Sequence, residues 1–467
     1  MDERASALDA AHSAATDFFA SVGSRPVWPR ATADELRGVL GGALPERGED
    51  AAAVVTALAR DADAGVAAIP GGRFFGFVTG GELPAALAAD WLVSAWDQNA
   101  GPGAAAPAAA AIEKIAGEWV CALLGLPETA GVGFTTGAQT SNFVCLAAAQ
   151  HALLRRVGWD LSQRGLRGAP ALRLVVGADR HGSIDRAARM CGIGRDELVV
   201  VDSDAEGRMV PEALQSALRH GGDVPTIVCL QAGEVHTGAF DPFAELVPQA
   251  RARGAWVHID GAFGLWAAAS PALRHLTAGI EGADSWTTDA HKTLNVPYDC
   301  AMAIVRDPTD AQAMFRPGGD YLVFTGWDPW DATPELSRRA RGVPVWAALR
   351  SLGAAGVDEL VEQLCARAQR LEAGLRRIPG VTVINDVGYT QVLFRLAEDD
   401  ATQALGAAIL SEGTAALTGA HWRGRAVLRC SVSSWRTTEE DVDATLDAIA
   451  RLAAGQRADP QSVKSNP

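Results

Sequence analysis

The chain has 467 residues, 48% of them hydrophobic, which is enough to bury a large core and argues against disorder. Its formal net charge of −15 argues against a surface for nucleic acid or an anionic membrane. The seven cysteines are scattered without a Cys-x-x-Cys pair, so neither a disulfide framework nor a metal site is predicted. The acidic first residues and the lack of a long apolar stretch predict a cytoplasmic protein.

Residues 1–90 have the pattern of helices separated by turns that contain proline and glycine, as at 24–29 and 69–73. Such a segment has little core of its own. We therefore expect it to pack on another domain or on a second subunit.

Residues 91–345 form the second predicted segment, in which short apolar and β-branched runs alternate with helical stretches. The strand-like runs are 172–176, 198–201, 226–230, 256–259 and 301–305. Strands that alternate with helices indicate βαβ units, so we predict an α/β domain with a mostly parallel sheet. Ligands of such sheets bind at the carboxyl ends of the strands.

Residues 346–454 are predicted to form a small α+β domain. A helical stretch at 346–376 precedes strand-like runs at 391–395 and 426–431, and a last helix opens on a capping-box pattern at 437–440. Residues 455–467 are polar and without periodicity, which predicts a disordered tail.

Lys292 lies in the segment 284–300, where its apolar neighbours predict burial, and Asp260 lies upstream after the apolar run 256–259. Burial lowers the pKa of a lysine and frees its amine for attack on an aldehyde. A lysine that forms a Schiff base and an acid that keeps a pyridine nitrogen protonated are the minimum equipment for pyridoxal phosphate chemistry. Taken alone, Lys292 could be a surface lysine and Asp260 a turn residue.

Two further segments fit the same cofactor. Residues 134–142 open a helical run, and backbone N–H groups at a helix start suit a phosphate. His181 follows the predicted strand 172–176, at the sheet edge where ligands bind. Each of these signals is weak by itself, because glycine-rich turns before helices and histidines after strands are common.

Together, Asp260 in His-Ile-Asp-Gly-Ala, Lys292 in Asp-Ala-His-Lys, His181 and the loop at 135–142 resemble the group II pyridoxal-phosphate-dependent decarboxylases. These include aromatic L-amino-acid, glutamate and histidine decarboxylases, and the resemblance extends over most of the chain. It implies the aspartate-aminotransferase-like architecture, fold type I, and a homodimer with shared active sites. In that dimer, the N-terminal segment would embrace the partner subunit.

The resemblance also implies roles for single residues. Lys292 would carry the cofactor as a Schiff base, Asp260 would contact the pyridine nitrogen, and His181 would stack on the ring. The cofactor-binding set implied in this way consists of Thr136, Gly137, Ala138, Gln139, His181, Asp260, Ala262, Asp289, His291 and Lys292.

The chain departs from the family pattern at two places. Many members have a Gly-Thr-Thr run where this chain has 233–238, so Glu234 or His236 is expected either to enter the substrate pocket or to mark a different loop. The family's mobile loop, expected here at 320–335, brings a catalytic tyrosine to the site. This chain has no tyrosine at the expected position, and Tyr321 could serve if the loop is shaped differently. Loss of that tyrosine is associated in the family with oxidative, aldehyde-forming chemistry.

The expected function is α-decarboxylation of an L-amino acid to the amine and CO₂. Aldehyde synthesis, C–C lyase action or transamination on the same fold are the first alternatives, and Arg429 and Arg436 are candidates for the carboxylate-binding arginine of a transaminase. A remote alternative is a cofactor-binding protein without turnover. Phe75 and Phe77 favour an apolar or aromatic substrate, although such rings could equally belong to the core or a dimer interface.

Overall fold

The computed structural model describes residues 2–319 and 322–458. The helices are α1 (Glu3–Ser21), α2 (Ala33–Leu40), α3 (Ala51–Ala62), α4 (Pro84–Trp96), α5 (Pro107–Leu123), α6 (Ala138–Arg156), α7 (Leu161–Arg164), α8 (Gly182–Met190), α9 (Pro211–His220), α10 (Phe243–Arg251), α11 (Pro308–Phe315), α12 (Gly342–Leu375), α13 (Asp399–Glu412) and α14 (Glu439–Ala458). The strands are β1 (Gly131–Thr135), β2 (Arg173–Gly177), β3 (Leu198–Val201), β4 (Thr226–Gln231), β5 (Trp256–Asp260), β6 (Ser285–Asp289), β7 (Ala301–Val305), β8 (Thr382–Val383), β9 (Gln391–Arg395), β10 (Thr418–Trp422) and β11 (Arg425–Ser431).

The chain divides into two compact units. The larger comprises 80–369 and 385–392, and the smaller comprises 1–79, 370–384 and 393–467. These bounds differ from the boundaries expected at 90, 345 and 454. Residues 80–83 bond to the backbone and side chain of the 291–295 turn within the larger unit. Position 345 lies inside α12, whose helical backbone is interrupted only later, at Gly353 with φ of 64°.

The larger unit is built on a seven-stranded sheet in the order β1-β7-β6-β5-β4-β2-β3. Strands β3, β2, β4, β5 and β6 are mutually parallel, while β7 runs antiparallel to both β6 and β1. The predicted α/β class with a mostly parallel sheet is confirmed. All five predicted strands of this segment are present, each within one residue of its expected bounds.

Two strands of this sheet escaped the sequence analysis. Strand β6 has the sequence Ser-Trp-Thr-Thr-Asp and β1 has Gly-Val-Gly-Phe-Thr, so neither shows an apolar run. Every residue of β6 is nevertheless buried, because the sheet is covered on both faces and β5 and β7 flank the strand. An apolar pattern does not reveal a central strand such as β6, in which buried residues carry hydroxyl groups.

Helix α6 packs on this sheet and is buried for most of its length. Its apolar residues join those of α8 and the strands in a core that includes Leu146, Leu174, Ile184 and Trp256. This burial anchors the first turn of α6, which contributes to the site described below.

The smaller unit contains a four-stranded sheet in the order β10-β11-β9-β8, together with α1–α3, α13 and α14. The capping box of α14 lies one residue beyond the expected position: Thr438 Oγ1 accepts from the N–H of Asp441, whose carboxylate accepts from the N–H of Thr438. Helix α14 continues to Ala458, past the expected end at 454, and the rest of the predicted tail lies outside the described residues. Within the described ranges, no helix is long and apolar enough to cross a membrane.

Candidate active site

Four of the predicted segments meet at one edge of the seven-stranded sheet. Strands β5 and β6 end at Asp260 and Asp289, and His181 follows β2 as the N-cap of α8. The carboxyl ends of parallel strands share one edge of a sheet. Helix α6 begins at the same edge, because the N–H of Ala138 donates to Asp289 Oδ1 over 2.7 Å.

Lys292 lies in the turn after β6, with its Nζ 3.0 Å from Asp289 Oδ2 and its side chain 21% exposed. Burial acts to lower the pKa of Lys292, but the charge and hydrogen bond of Asp289, with a smaller contribution from Asp260, outweigh it and raise the pKa above its usual value. The expectation of a lowered pKa was therefore wrong for the protein without its cofactor. Burial was foreseen, but the ion pair was not.

The Lys292 turn is held by the residues that precede α4. The N–H of Gly80 donates to the carbonyl of His291, and the N–H of Gly81 donates to Asn295 Oδ1. A side chain at Gly80 would collide with the carbonyl oxygen of Lys292. Asn295 itself has φ of 54°, a left-handed conformation that asparagine tolerates better than most residues. The backbone that carries the lysine is thus fixed on two sides.

Asp260 is buried, with 6% of its surface exposed, and three groups donate or lie within donating distance of its carboxylate. Asn142 Nδ2 lies 2.9 Å and Ser183 Oγ lies 3.3 Å from Oδ2, and the N–H of Ala262 donates to Oδ1 over 3.2 Å. These hydrogen bonds fix the orientation of the carboxylate, which is the group that would contact a pyridine nitrogen. Neither Asn142 nor Ser183 was among the residues predicted to contact Asp260.

His181 is exposed, and its ring orientation is set by Ser183. The N–H of Ser183 donates to Nδ1 over 3.2 Å, and Ser183 Oγ lies 2.8 Å from the same nitrogen. In the neutral ring, Nδ1 is then the acceptor and Nε2 carries the proton. Ser183 therefore links His181 to Asp260, and its spacing of two residues from His181 at a helix start is the signal that could have revealed it.

The start of α6 fits a phosphate group. Gln139 Nε2 is buried and has no hydrogen-bond partner within the described part of the chain, so a donor is available there. A methyl group at Gly137 would come within 3.7 Å of the His291 ring and 3.9 Å of Asp289, which shows how closely these segments approach. Thr136 and Thr140 share a hydrogen bond of 3.0 Å at the same turn. A helix N-terminus with such donors binds anions.

His291 and Tyr298 form a stacked pair beside the lysine, with ring centroids 4.2 Å apart. The N–H of Cys300 donates to His291 Nδ1, and His291 Nε2 faces Asp289 over 3.5 Å. Burial lowers the pKa of His291 against the opposing effect of Asp289, so the ring is neutral near pH 7. Tyr298 is 58% exposed, and the sequence gave no sign that it would stack on His291.

Glu234 is 1% exposed and bonds within its own loop. Its carboxylate accepts from the N–H groups of His236 and Thr237, both over 2.7 Å, and lies 2.8 Å from His236 Nδ1. Glu234 was expected either to enter the substrate pocket or to mark a loop that differs from the family's. Its contacts within the loop favour the second alternative. His236 is partly exposed on this loop.

Four of the remaining predicted residues, Phe75, Phe77, Arg429 and Arg436, lie in the smaller unit and not in the unit that carries this edge. Phe75 and Phe77 belong to the smaller unit, where Phe75 is buried and Phe77 is 61% exposed. Arg429, in the same unit, donates from Nη2 to the carbonyl of Phe77 over 3.1 Å, and Arg436 lies over the ring of Trp435. Tyr321 lies outside the described residues. A place for Phe75, Phe77 and Tyr321 in the site stays a prediction.

A lysine, two acids, a histidine and an anion-binding helix start thus converge on one edge. Residues 34–397 match the family model described as the pyridoxal-dependent decarboxylase conserved domain. The chain belongs to the pyridoxal-dependent decarboxylase family. The predicted family, the fold type and the cofactor, pyridoxal phosphate, are confirmed.

Relatives within this family carry different activities in their names. The chain is 29% identical to the acidic amino acid decarboxylase of Mus musculus over 332 residues, which cover 69% of this chain and 60% of the relative. It is 26% identical to the 4-hydroxyphenylacetaldehyde synthase of Rhodiola rosea, covering 92% of this chain and 90% of that one. The crystal structure of Oryza sativa TDC with PLP and tryptamine matches with a TM-score of 0.91 at 26% identity, covering 97% and 98% of the two chains.

The chain therefore spans about three fifths of the length of the mouse acidic amino acid decarboxylase, whereas it spans nearly all of the plant proteins. Because these relatives differ in substrate and product, family membership alone does not select a substrate.

Proposed function

We propose that this protein removes the α-carboxylate of an L-amino acid as CO₂ and releases the amine, with pyridoxal phosphate held by Lys292. The observation that carries the proposal is the convergence of Lys292, Asp260 and His181 with the start of α6 inside one compact unit. A transaminase or lyase on this fold would use the same set, so the choice of reaction rests on further residues.

Each residue has a distinct task in this account. The Lys292 amine would hold the cofactor covalently, and Gln139 Nε2, which has no partner within the described residues, would be a donor for its phosphate. Asp260, oriented by Asn142, holds a proton on the pyridine nitrogen. Bound in this way, pyridoxal phosphate withdraws electrons from a bond to the substrate's α-carbon, which makes loss of CO₂ possible.

His181 and Asp289 complete the set. His181 keeps its proton on Nε2 because Nδ1 accepts from Ser183, so it presents an N–H donor at the sheet edge. Asp289 holds the Lys292 amine in its protonated form. The amine must lose that proton before it can attack the aldehyde of the cofactor. The bound cofactor and Asp289 therefore compete for the lysine.

The contact of Arg429 supports decarboxylation over transamination. Its guanidinium donates to the backbone carbonyl of Phe77 and is 5% exposed, as expected for an arginine with a structural role. A decarboxylase leaves the substrate carboxylate in an apolar environment, so that CO₂ can depart. We propose an apolar or aromatic side chain for the substrate, on the strength of Phe75 and Phe77.

Aldehyde synthesis is the second candidate function. The described part of the loop, 322–335, contains no tyrosine, and one of the reported relatives is named an aldehyde synthase. If Tyr321 does not reach the substrate, the reaction would consume O₂ and one water and yield the aldehyde, CO₂, ammonia and hydrogen peroxide.

Product analysis tests the proposal. The holoenzyme would be incubated with aromatic, acidic and basic L-amino acids that carry a labelled α-carboxylate. We expect labelled CO₂ and one equivalent of amine from an aromatic substrate. Labelled CO₂ with aldehyde and peroxide would establish the second candidate, and a keto acid without CO₂ would refute both.

The predicted homodimer also belongs to this proposal. Helices α1, α2 and α3 have no buried residue within the single chain, and Leu44 is 93% exposed in the segment between α2 and α3. Apolar groups left uncovered in this way mark an interaction surface. A cytoplasmic location stays a prediction.

A further inference from the structure

A line of hydrogen bonds runs from β5 to Asp260 through side chains that the proposed reaction does not use. Trp256 Nε1 lies 2.9 Å from Ser285 Oγ, and Ser285 Oγ lies 3.0 Å from His258 Nδ1. His258 Nε2 lies 3.0 Å from Asn142 Oδ1, and Asn142 Nδ2 donates to Asp260 Oδ2 over 2.9 Å. All five side chains are buried, and His258 is 0% exposed.

The Asp260 end of this line fixes the direction of its bonds as far as Nε2 of His258. The indole of Trp256 can only donate, and the carboxylate of Asp260 can only accept. Asn142 must turn its amide nitrogen to Asp260, which leaves its oxygen for His258. His258 must therefore carry a proton on Nε2, and when the ring is neutral its Nδ1 accepts the hydroxyl proton of Ser285, which in turn accepts from Trp256.

A proton on Nδ1 in place of Nε2 would break the line. With the proton on Nδ1, the lone pair of Nε2 would face the oxygen of Asn142, or the amide would rotate and turn that oxygen toward the carboxylate of Asp260. The charged ring would keep the line intact, because the Ser285 oxygen can accept from Trp256 and from His258 together. Burial opposes that charged form and lowers the pKa of His258 to about 4.

We propose that His258 is a positioning residue: neutral, with its proton on Nε2, it holds the Asn142 amide in the one orientation that donates to Asp260. This inference rests on the proposed role of Asp260 at the pyridine nitrogen. A freely rotating Asn142 would present either its nitrogen or its oxygen to Asp260. His258 removes that choice and keeps the Asp260 carboxylate in one orientation.

Ser183 extends the same arrangement to His181. Asn142 Nδ2 lies 3.2 Å from Ser183 Oγ, which lies 2.8 Å from His181 Nδ1. The orientation of one amide therefore bears on both groups that are proposed to flank the cofactor ring. His258, which is proposed not to touch the substrate, thus helps to orient both Asp260 and His181.

The test compares three variants with the natural protein. His258→Leu removes both ring nitrogens at similar volume, whereas His258→Gln keeps an amide N–H that can donate to Asn142. His151→Leu is the matched control. His151 lies on α6, is buried like His258 with 5% exposure, and takes no part in the line.

The first measurement is the equilibrium binding of pyridoxal phosphate to cofactor-free protein. We expect His258→Leu to weaken binding by about 10-fold to 100-fold, the range typical for loss of a group that orients a ligand-binding residue. His258→Gln should restore it to within about threefold of the natural protein, and His151→Leu should leave it unchanged. Equal losses in His258→Leu and His258→Gln, or no loss in either, would overturn the inference.

A second arm separates this inference from the proposed role of Asp260. In an Asp260→Asn background, His258→Leu should cause little further loss, because its effect passes through Asp260. Additive losses would overturn the positioning role. If Asp260→Asn alone leaves cofactor binding and the cofactor's visible spectrum unchanged, the proposed role of Asp260 fails instead.

Nitrogen NMR of the cofactor-free protein reads the proton directly. At pH 7, the His258 signals, assigned by their loss in His258→Gln, should show a protonated Nε2 and an unprotonated Nδ1. A proton on Nδ1, or on both nitrogens, would contradict the proposal whatever the enzyme's activity.

Discussion

At the residue scale, the chemistry depends on a few polar side chains whose partners lie far away in the sequence. Lys292, Asp260 and His181 could be singled out from the sequence, because a motif and a position after a strand mark each of them. Asn142 and His258 could not, since nothing in a single sequence shows that residues 142, 258 and 260 share one hydrogen-bonded cluster. The ion pair that raises the pKa of Lys292 joins residues only three positions apart, but the sequence does not show that the two side chains meet.

Asp260→Asn tests the acid at the residue scale. The substitution keeps the size of the side chain but removes its charge, so the pyridine nitrogen loses the partner that keeps it protonated. We expect kcat to fall by about 10²-fold to 10³-fold, with a smaller change in KM. Steady-state kinetics on the best substrate would measure this.

The control is Asp284→Asn, which removes another buried carboxylate beside the same strand. Asp284 accepts from the N–H of Val257 and pairs with Arg251, at the opposite end of β6 from Asp289. It should lower stability but not kcat. Equal effects of the two variants on kcat would contradict the assignment of Asp260.

The lowered pKa of His258 predicts a pH dependence of stability. Because the folded protein holds this ring neutral down to about pH 4, while the unfolded chain takes up a proton near pH 6.5, acid favours unfolding between those values. The contribution amounts to about 3 kcal/mol, present above pH 6.5 and lost as the pH falls to 4. Urea denaturation of the natural protein and His258→Gln across this range should show the difference.

In that comparison, the free energy of unfolding of the natural protein should fall more steeply below pH 6.5 than that of His258→Gln. Parallel curves for the two proteins would show that His258 takes up its proton as easily in the folded state as in the unfolded state.

At the element scale, the alternation of strands and helices in the larger unit was predictable, because β-branched runs identify buried parallel strands. The order of the strands and the membership of β1 and β6 were not, since those strands owe their place to their neighbours and not to their own composition. Residues 80–83 also escaped notice. Their role is to hold the Lys292 turn through backbone bonds, which leave no pattern in the side chains.

Gly80→Ala tests this support of the lysine turn. The added methyl group would collide with the carbonyl of Lys292, so the turn must move. We expect a loss of about 1–3 kcal/mol in the free energy of unfolding, together with weaker cofactor binding. Urea denaturation and cofactor titration would measure the two effects.

Gly419→Ala is the control, since Gly419 is exposed and a methyl group there meets nothing within 4 Å. It should change the free energy of unfolding by less than about 0.5 kcal/mol. If Gly80→Ala changes the free energy of unfolding as little, the Lys292 turn does not depend on a residue without a side chain at position 80.

At the scale of the whole molecule, the two compact units do not coincide with a division into successive domains. The N-terminal residues share a unit with the C-terminal sheet, which a reading along the chain does not reveal. The lack of a core in α1–α3 was nevertheless predictable from the sequence, and the absence of buried residues in these three helices agrees with it.

The exposed apolar groups of the N-terminal helices predict a dimer. Sedimentation equilibrium should give a mass near twice 48.7 kDa. The double substitution Leu40→Asp and Leu44→Asp, at positions 48% and 93% exposed, should shift the mass toward the monomer because charges would be buried at the interface. Val157→Asp, at a position 49% exposed in the larger unit, is the control. A monomeric natural protein would refute the prediction.

The most direct test of the central claim is to locate the cofactor's lysine. The chain has only three lysines, Lys114, Lys292 and Lys464, so the outcome is a choice among three positions. Borohydride would reduce the holoenzyme and fix the cofactor to its amine, and mass spectrometry of the peptides would identify the modified residue. The account predicts the pyridoxyl group on Lys292. A modification on Lys114 or Lys464, or none despite full binding of the cofactor, would contradict it.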